Sequence, residues 1–305
     1  MKRVLITGGN GLLGQTVTRL LLQETNHEIF VTGNEEHPAV GKLITAYRQV
    51  DVTDKKQLRD CVQKFKPAVI VHTAANTDVD ACEEDRDTAQ LVNVKAVEYL
   101  AESARIFGAH IIHISSDYVF DGEKAPLDES ASPRPINYYG RTKLASENVL
   151  RGAGIPHTII RTMIFYGFGY NVKPNFALWV LGNLSAGNKI SVVIDQYGQP
   201  TFVDDLAYGI IKIIDRERTG LYHMSGADVV SRYDFAVAIA ETFRLPKTLI
   251  QPITSDELSQ SAPRPRYSEF VTQKARMELG IRMSNIHEGL SVLRKQIEDS
   301  KFGVT

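Results

Sequence analysis

Cysteine is scarce in this chain, with Cys61 and Cys82 the two among 305 residues. Two thiols are too few for a disulfide framework. Without a histidine cluster at ligand spacing they give no zinc signal, so no metal is expected. Each reads as a small packing residue. Charge of one sign is lacking too. Lys and Arg number 35 and Asp and Glu 36, a formal net charge of -1. No strong field therefore recruits nucleic acid or an anionic membrane surface. Long apolar runs are also missing. The opening Met1-Lys2-Arg3 followed by Val4-Leu5-Ile6 superficially resembles a signal peptide, but the run is short and glycines break it. No stretch approaches the roughly 20 apolar residues of a membrane span. A cytoplasmic protein is expected, and the balance of 43% hydrophobic and 23% charged residues is ordinary for a globular one.

What the chain does have is an alternation of strand and helix patterns. Arg3 to Thr7 is a short apolar strand of the kind buried in a parallel sheet. A glycine turn follows from Gly8 to Gly14, then a helix over Leu12 to Gln23. Strands are expected at 27–32, 68–73, 110–115 and 158–161, and helices at 55–65, 88–107 and 138–150. This order through about residue 162 predicts an α/β fold, a Rossmann-type doubly wound parallel sheet. Residues 1–162 form the expected dinucleotide-binding domain. Residues 163–305 form a smaller C-terminal substrate-binding region, interleaved so that part of the chain returns to the first domain. Helices are expected there at 174–186, 204–214, 233–243 and 284–297, and strands at 189–194 and 221–224. Trp179 is expected in the core, with Asn175 and Phe176 just ahead of it approaching the substrate.

Gly8, Gly11 and Gly14 have the spacing of a turn that lets backbone approach a pyrophosphate and packs helix closely on strand. The helix N-terminus offers N–H donors to the anion. The second strand runs on into Val31-Thr32-Gly33-Asn34-Glu35-Glu36. No Asp ends it, as direct reading of the NAD ribose would require, and two acids disfavour the 2′-phosphate of NADP. The first later cation is Lys42. NAD and NADP both stay open. Asp51-Val52 either meets the adenine edge or, with Thr53 and Asp54, caps the helix from Lys55. Ala74-Ala75 ends the third strand with residues small enough for a flat cofactor, and Ser116 ends the next one. Tyr139 and Lys143 are four apart on one helix face. A phenol has a pKa near ~10, and a neighbouring ammonium is expected to lower it. Ser116 would then hold a reacting carbonyl and Tyr139 would protonate it.

Gly8-x-x-Gly11-x-x-Gly14, Ala74-Ala75, Ser116 and Tyr139-x-x-x-Lys143 together resemble the extended short-chain dehydrogenases/reductases, over essentially the whole chain. Ser115-Ser116-Asp117-Tyr118-Val119-Phe120-Asp121-Gly122, the segment Asp195 to Thr201, and Arg264-Pro265 with Ser268 resemble the dTDP-4-dehydrorhamnose reductase family more specifically. The resemblance implies reduction of the 4-keto group of a nucleotide-linked 6-deoxysugar. Ser116, Tyr139 and Lys143 would be catalytic. Gly8, Asn10, Gly11, Leu12 and Leu13 would wrap the pyrophosphate, Asp51 and Val52 would face adenine, and Ala74, Ala75 and Thr77 would line the path to the nicotinamide. Asn93 resembles the family's helix asparagine, and Lys143 would also hold the ribose. Asp117, Asn175 and Arg264 would lie on the substrate side. The resemblance favours NADP(H) over NAD(H), and the family's frequent dimers imply a homodimer. Two positions depart from the pattern: Ile164 stands where an aromatic residue is usual, and Thr16 where some members carry a metal-binding acid. A 4-epimerase uses the same catalytic set. The regulatory subunit of methionine adenosyltransferase, a dinucleotide-binding relative of these reductases, is the non-enzymatic alternative. A 4,6-dehydratase is disfavoured, since Tyr118 stands where the second carboxylate would be needed.

Overall fold

The computed structural model describes residues 1–39, 46–258 and 260–301, so Lys42 lies outside the described residues. Seven strands form the central sheet: β1 (Arg3–Thr7), β2 (Glu28–Gly33), β3 (Tyr47–Gln49), β4 (Val69–His72), β5 (His110–Ser116), β6 (His157–Thr162) and β7 (Gly220–His223). Their spatial order is β7-β6-β5-β4-β1-β2-β3. Every pairing is parallel. The winding reverses between β1 and β4, the switch point where open α/β sheets bind ligands beyond their strand ends. The expected doubly wound sheet is the one observed.

Alternation along β1 shows how both faces are covered. Val4 and Ile6 join a core with Leu13, Val17, Leu206 and Ile210, from helices Leu12–Glu24 and Val203–Arg216. Leu5 points the other way, to Leu58, Val62, Val97 and Leu100 of helices Lys55–Phe65 and Ala96–Phe107. All three strand residues have 0% exposure. Period-two alternation between two apolar layers is why a continuous Val-Leu-Ile run is needed here. Strand β3 was not anticipated, because Tyr-Arg-Gln at a sheet edge carries no apolar run. The chain returns to this sheet after residue 163, since β7 pairs with β6 and helix Val203–Arg216 packs on helix Leu12–Glu24.

The helix expected over 88–107 is interrupted. It runs as Arg86–Gln90, a π-helical turn at Leu91–Lys95, and Ala96–Phe107, ended by Gly108 at φ +64°. A π turn shifts the face presented by the residues within it, and Asn93 lies there. Helices Phe176–Ser185, Arg232–Phe243 and Ile286–Lys301 surround a third core built on Tyr166, Phe235 and Leu290. Trp179 corrects the expectation of a core residue. It is 39% exposed, leaning on Phe176 with ring centroids 5.9 Å apart, because its helix turns Ala177, Val180 and Leu184 inward instead.

One ion pair ties the layers together at depth. Glu147, in helix Tyr138–Gly152, has no exposure and Arg161 of β6 has 1%. Arg161 donates to Glu147 from Nε at 2.9 Å and from Nη2 at 2.7 Å, and Ser115 Oγ of β5 donates to the same carboxylate at 2.6 Å. Burial alone would raise the Glu147 pKa, but the Arg161 hydrogen bonds and charge outweigh it and hold the carboxyl below the usual range. A depressed carboxyl stabilises the fold at neutral pH and loses that contribution as acid protonates it. Removing one member leaves a buried charge uncompensated. Glu147→Ala is expected to destabilise the protein by about 3–5 kcal/mol, read as a lower denaturant midpoint. An unchanged midpoint would remove the pair from the framework.

Candidate active site

A continuous groove runs along the carboxyl ends of the strands. A smaller cleft of about 230 Å³ is lined by Gly8, Asn10, Gly33, Glu35, Asp51 and Val52, among others. A larger one of about 600 Å³ runs from Gly11 past Ser116 and Tyr139 to Phe176. The two share Asn10, Gly11, Glu35 and Thr73 to Ala75. The larger alone is of the size that takes a small molecule.

The glycine turn is built by contact as well as by dihedral angle. Gly8 has φ +72°, and a Cβ on it would stand 2.6 Å from the Ala74 backbone nitrogen. A Cβ on Gly14 would stand 2.3 Å from the Gly8 carbonyl oxygen. Gly11 differs. A Cβ there would meet only the Gly8 oxygen, at 3.3 Å, and Gly11 lines both clefts. Two glycines thus close the turn and the third keeps the groove floor clear. Leu12 and Leu13 follow in the groove at the start of the helix. Asn10 holds the rim, its Nδ2 donating to Glu35 Oε2 at 2.8 Å and its Oδ1 accepting from Ala39 N–H at 2.9 Å. These features fit an adenine dinucleotide, with the backbone bare at the phosphates and Glu35 at the ribose end. Two buried polar atoms beside the groove, His72 Nε2 and Thr162 Oγ1, have no partner among the described residues. Such atoms are rare in native structures and fit a polar ligand.

Asp51 and Asp54 divide the two roles left open for them. Asp54 caps helix Lys55–Phe65, accepting from Lys56 and Gln57 N–H. Asp51 lines the smaller cleft with Val52, its Oδ1 fixed by Thr53 N–H at 2.8 Å and Thr53 Oγ1 at 2.7 Å.

Ser116, Tyr139 and Lys143 meet in the larger cleft with 7%, 8% and 2% exposure. Asn137 caps their helix, accepting from Gly140 N–H at 2.8 Å. Gly140 permits the close approach, since a Cβ there would lie 2.0 Å from the Tyr118 carbonyl oxygen. Ser116 Oγ donates to Asp117 Oδ1 at 2.9 Å. The electrostatics correct the expectation that Lys143 lowers the Tyr139 pKa. Burial pushes the phenol well above its usual value, Asp117 adds to this, and the Ser116 hydrogen bond only partly opposes it. Lys143 is itself brought down to about 8 by burial, against the upward pull of Glu147. Tyr139 is therefore a neutral phenol at physiological pH, a proton donor rather than a base. Asp117, 6% exposed, also has a raised pKa, first from burial, with Ser116, Ser268 and Arg232 opposing.

Several expected residues lie elsewhere. Asn93 is buried behind the groove. Its Oδ1 accepts from Asn76 N–H at 2.8 Å, and its Nδ2 donates to Asn76 O and Thr142 Oγ1, both at 3.0 Å. It thus pins the Ala74–Thr77 segment to the Tyr139 helix, while Ala74, Ala75 and Thr77 themselves line the larger cleft. Arg264 is outside the lining and grips Asp80 with Nη1 at 2.6 Å and Nη2 at 2.7 Å. Asn175 does line the cleft, where it caps helix Phe176–Ser185. Sequence reasoning missed Arg232, which lines the cleft beside Asp117, Tyr118 and Phe176. Its only local signal is a cation at the start of a helix.

Comparison with known proteins agrees with this fold. The RmlD substrate binding domain family matches residues 1–298. The spore coat polysaccharide biosynthesis protein SpsK of Bacillus subtilis is 35% identical over 292 residues, 95% of this chain and 96% of that protein. Methionine adenosyltransferase 2 subunit beta of Xenopus tropicalis is 32% identical, over 87% of this chain and 78% of that protein. The crystal structure of dTDP-4-dehydrorhamnose reductase from Bacillus anthracis in complex with NADP superposes with a TM-score of 0.85 at 32% identity, covering 97% of this chain and 99% of that one.

The glycine turn can be probed without breaking the fold. Gly11→Ala adds a methyl to the groove floor whose one close neighbour is the Gly8 carbonyl oxygen at 3.3 Å, a tight contact that a shift of a few tenths of an ångström relieves. Its expected effect is cofactor affinity at least about tenfold weaker, by fluorescence titration, with an unchanged circular dichroism spectrum. Unaltered affinity would show that the turn does not hold the pyrophosphate.

Proposed function

The chain belongs to the RmlD substrate binding domain family, and from that membership we propose that it is an NAD(P)H-dependent reductase of the 4-keto group of a nucleotide-linked 6-deoxysugar. The observation that carries this is the meeting of Ser116, Tyr139 and Lys143 at the cofactor groove, in the cleft large enough for a substrate. When bound, the cofactor supplies a hydride to the carbonyl carbon. Ser116 Oγ donates a hydrogen bond to the carbonyl oxygen and fixes it beside Tyr139. The phenol then gives its proton to that oxygen as negative charge develops there. Hydride on carbon and proton on oxygen turn the ketone into a secondary alcohol. Tyr139 is left as a phenolate, which the Lys143 ammonium stabilises. The raised phenol pKa suits this direction, because the proton is held until a stronger base, the nascent alkoxide, accepts it.

Asn10, Gly11, Leu12 and Leu13 are the proposed pyrophosphate cradle, with Gly8 shaping its turn, and Asp51 and Val52 the adenine edge. Asp117 and Asn175 are the proposed substrate-side residues, since both line the larger cleft. Asn93 acts through the segment it pins rather than on the cofactor. Glu35 at the ribose end favours an unesterified 2′-hydroxyl, which puts NADH ahead of NADPH. A homodimer and a cytoplasmic location belong to the same reading. The similarity to a methionine adenosyltransferase subunit keeps a non-catalytic dinucleotide-binding role in view, but such a role needs no proton donor beside the cofactor.

The test is to mix protein, NADH or NADPH and a nucleotide-linked 4-keto-6-deoxyhexose and follow nicotinamide absorbance. Oxidation is expected, faster with NADH. Tyr139→Phe should keep cofactor affinity and lower kcat at least about 100-fold. Cofactor binding without oxidation of several such sugars would sink the enzyme reading, and undiminished turnover by Tyr139→Phe would remove its assigned role. The charge on Lys143 gives a second check. Its lowered pKa of about 8 means that the ammonium dominates below that pH and is lost above it. The expected profile is a kcat/KM that falls as pH rises through about 8. A flat profile through this region would dissociate Lys143 from the rate.

A further inference from the structure

Lys173, in the lining of the larger cleft, and Arg264 and Arg266, outside that lining, are all engaged by carboxylates. Lys173 pairs with Asp78 at 2.9 Å and Arg264 with Asp80 at 2.6 Å. Arg266 reaches Asp256 at 3.2 Å and Asp195 at 3.9 Å. Arg232 is different. It lines the larger cleft and is partly buried, yet among the described residues it forms no ion pair. Its position is nonetheless fixed. The guanidinium carbon sits 5.3 Å from the centre of the Phe176 ring, and Phe176 stacks at 5.6 Å on the fully buried Phe235. Its backbone N–H donates to the Gln196 carbonyl at 3.0 Å, and Ser231 caps the helix that Arg232 begins. A guanidinium on an aromatic face is attracted to it and pre-oriented, with its N–H fork free to bind.

Arg232 acts on the buried Asp117 carboxyl through space but makes no ion pair with it, and a partly desolvated guanidinium held this way is costly unless a ligand brings the opposite charge into contact. We propose that Arg232 is the anion anchor of the substrate pocket and binds the diphosphate of a nucleoside-diphosphate-linked substrate. The choice of diphosphate rests on the nucleotide-sugar reading above, whereas the binding of an anion does not. The layout agrees with the chemistry. A carbonyl held at Ser116 and Tyr139 places the rest of the substrate along the wall formed by Ile164 and Phe176, toward Arg232. A diphosphate offers paired oxygens to a guanidinium fork. Lys173, the other cation on this side of the cleft, is already held by Asp78 and is 80% exposed.

The experiment uses the full chain loaded with its nicotinamide cofactor and titrates thymidine diphosphate, uridine diphosphate and the two uncharged nucleosides by calorimetry. Arg232→Ala is expected to weaken diphosphate binding about 10- to 100-fold and to leave nucleoside and cofactor binding unchanged. Arg232→Lys, which keeps the charge but not the fork, should recover part of the loss. In turnover, KM should rise while kcat holds. If Arg232→Ala folds poorly, Arg232→Gln replaces it. Equal diphosphate affinity in wild type and variants overturns the proposal, as does absence of diphosphate binding by the wild type or an equal loss of nucleoside binding. Diphosphate binding that depends on Arg232, without turnover of any 4-keto sugar, sustains the anchor and counts against the reductase.

Discussion

The pair between Glu147 and Arg161 is the constraint on which the site depends. Tyr139, Lys143 and Glu147 are spaced by four along one helix, so they form a single stripe. The first two face the cleft, and the third continues the stripe into the protein, where Arg161 of β6 and Ser115 of β5 hold it. Ser115 immediately precedes Ser116. One carboxylate thus sets the distance between the strand end that carries the serine and the helix that carries the phenol. The guanidinium is held in turn, lying 5.0 Å from the centre of the Phe120 ring. A buried ion pair is weak support for net stability. Its contribution here is geometric, since neither element can shift without exposing an uncompensated charge.

The same burial sets the chemistry. It raises the Tyr139 pKa and lowers that of Lys143, and both shifts favour the neutral form of each group. Desolvation also brings His72 down to about 3, with the Lys143 charge adding to it. The histidine beside the cleft is therefore an uncharged polar group. A lysine that keeps its proton only below about pH 8 is sensitive to nearby charge, and Glu147, on the same helix stripe, pulls it upward. The residue that fixes the geometry thus also holds the ammonium in its charged form.

The cofactor half was legible in the sequence because its constraints are local. Gly8 needs a left-handed turn, Gly14 a missing Cβ, Ala74 a small side chain, and Tyr139 and Lys143 a helical spacing, and each can be read within a few residues. The doubly wound sheet was legible for the same reason, from apolar runs such as Val4-Leu5-Ile6. What escaped depends on contacts between distant segments. Strand β3 is defined by pairing with β2 rather than by any run of its own. The π turn at Asn93 is tied to Asn76, 17 residues away in sequence. Arg264 resembled a substrate ligand by motif, but it lies outside the cleft lining, where it grips Asp80, 184 residues earlier, and also bonds the Tyr118 phenol. Arg232 reaches the cleft only because its helix packs behind Phe176, and no local pattern announces that.

Ile164 shows how far the substrate wall is set by such packing. Its φ of +44° is a left-handed value that a β-branched residue adopts only when its surroundings over-determine it. Such a residue costs on the order of 1–3 kcal/mol. The surroundings are identifiable. Ile164 O accepts from Thr201 N–H at 3.2 Å, and its Cδ1 fills the space where a Cβ on Gly198 would stand, at 2.6 Å. Gly198 and Thr201 belong to the Asp195–Thr201 segment, so that segment shapes the cleft wall without lining the cleft itself. A larger residue at 198 would push Ile164 toward the substrate, and relaxing the backbone at 164 would turn its side chain away from this wall. The site is therefore rigid at its cofactor end through backbone contacts and at its substrate end through one strained residue seated on a glycine.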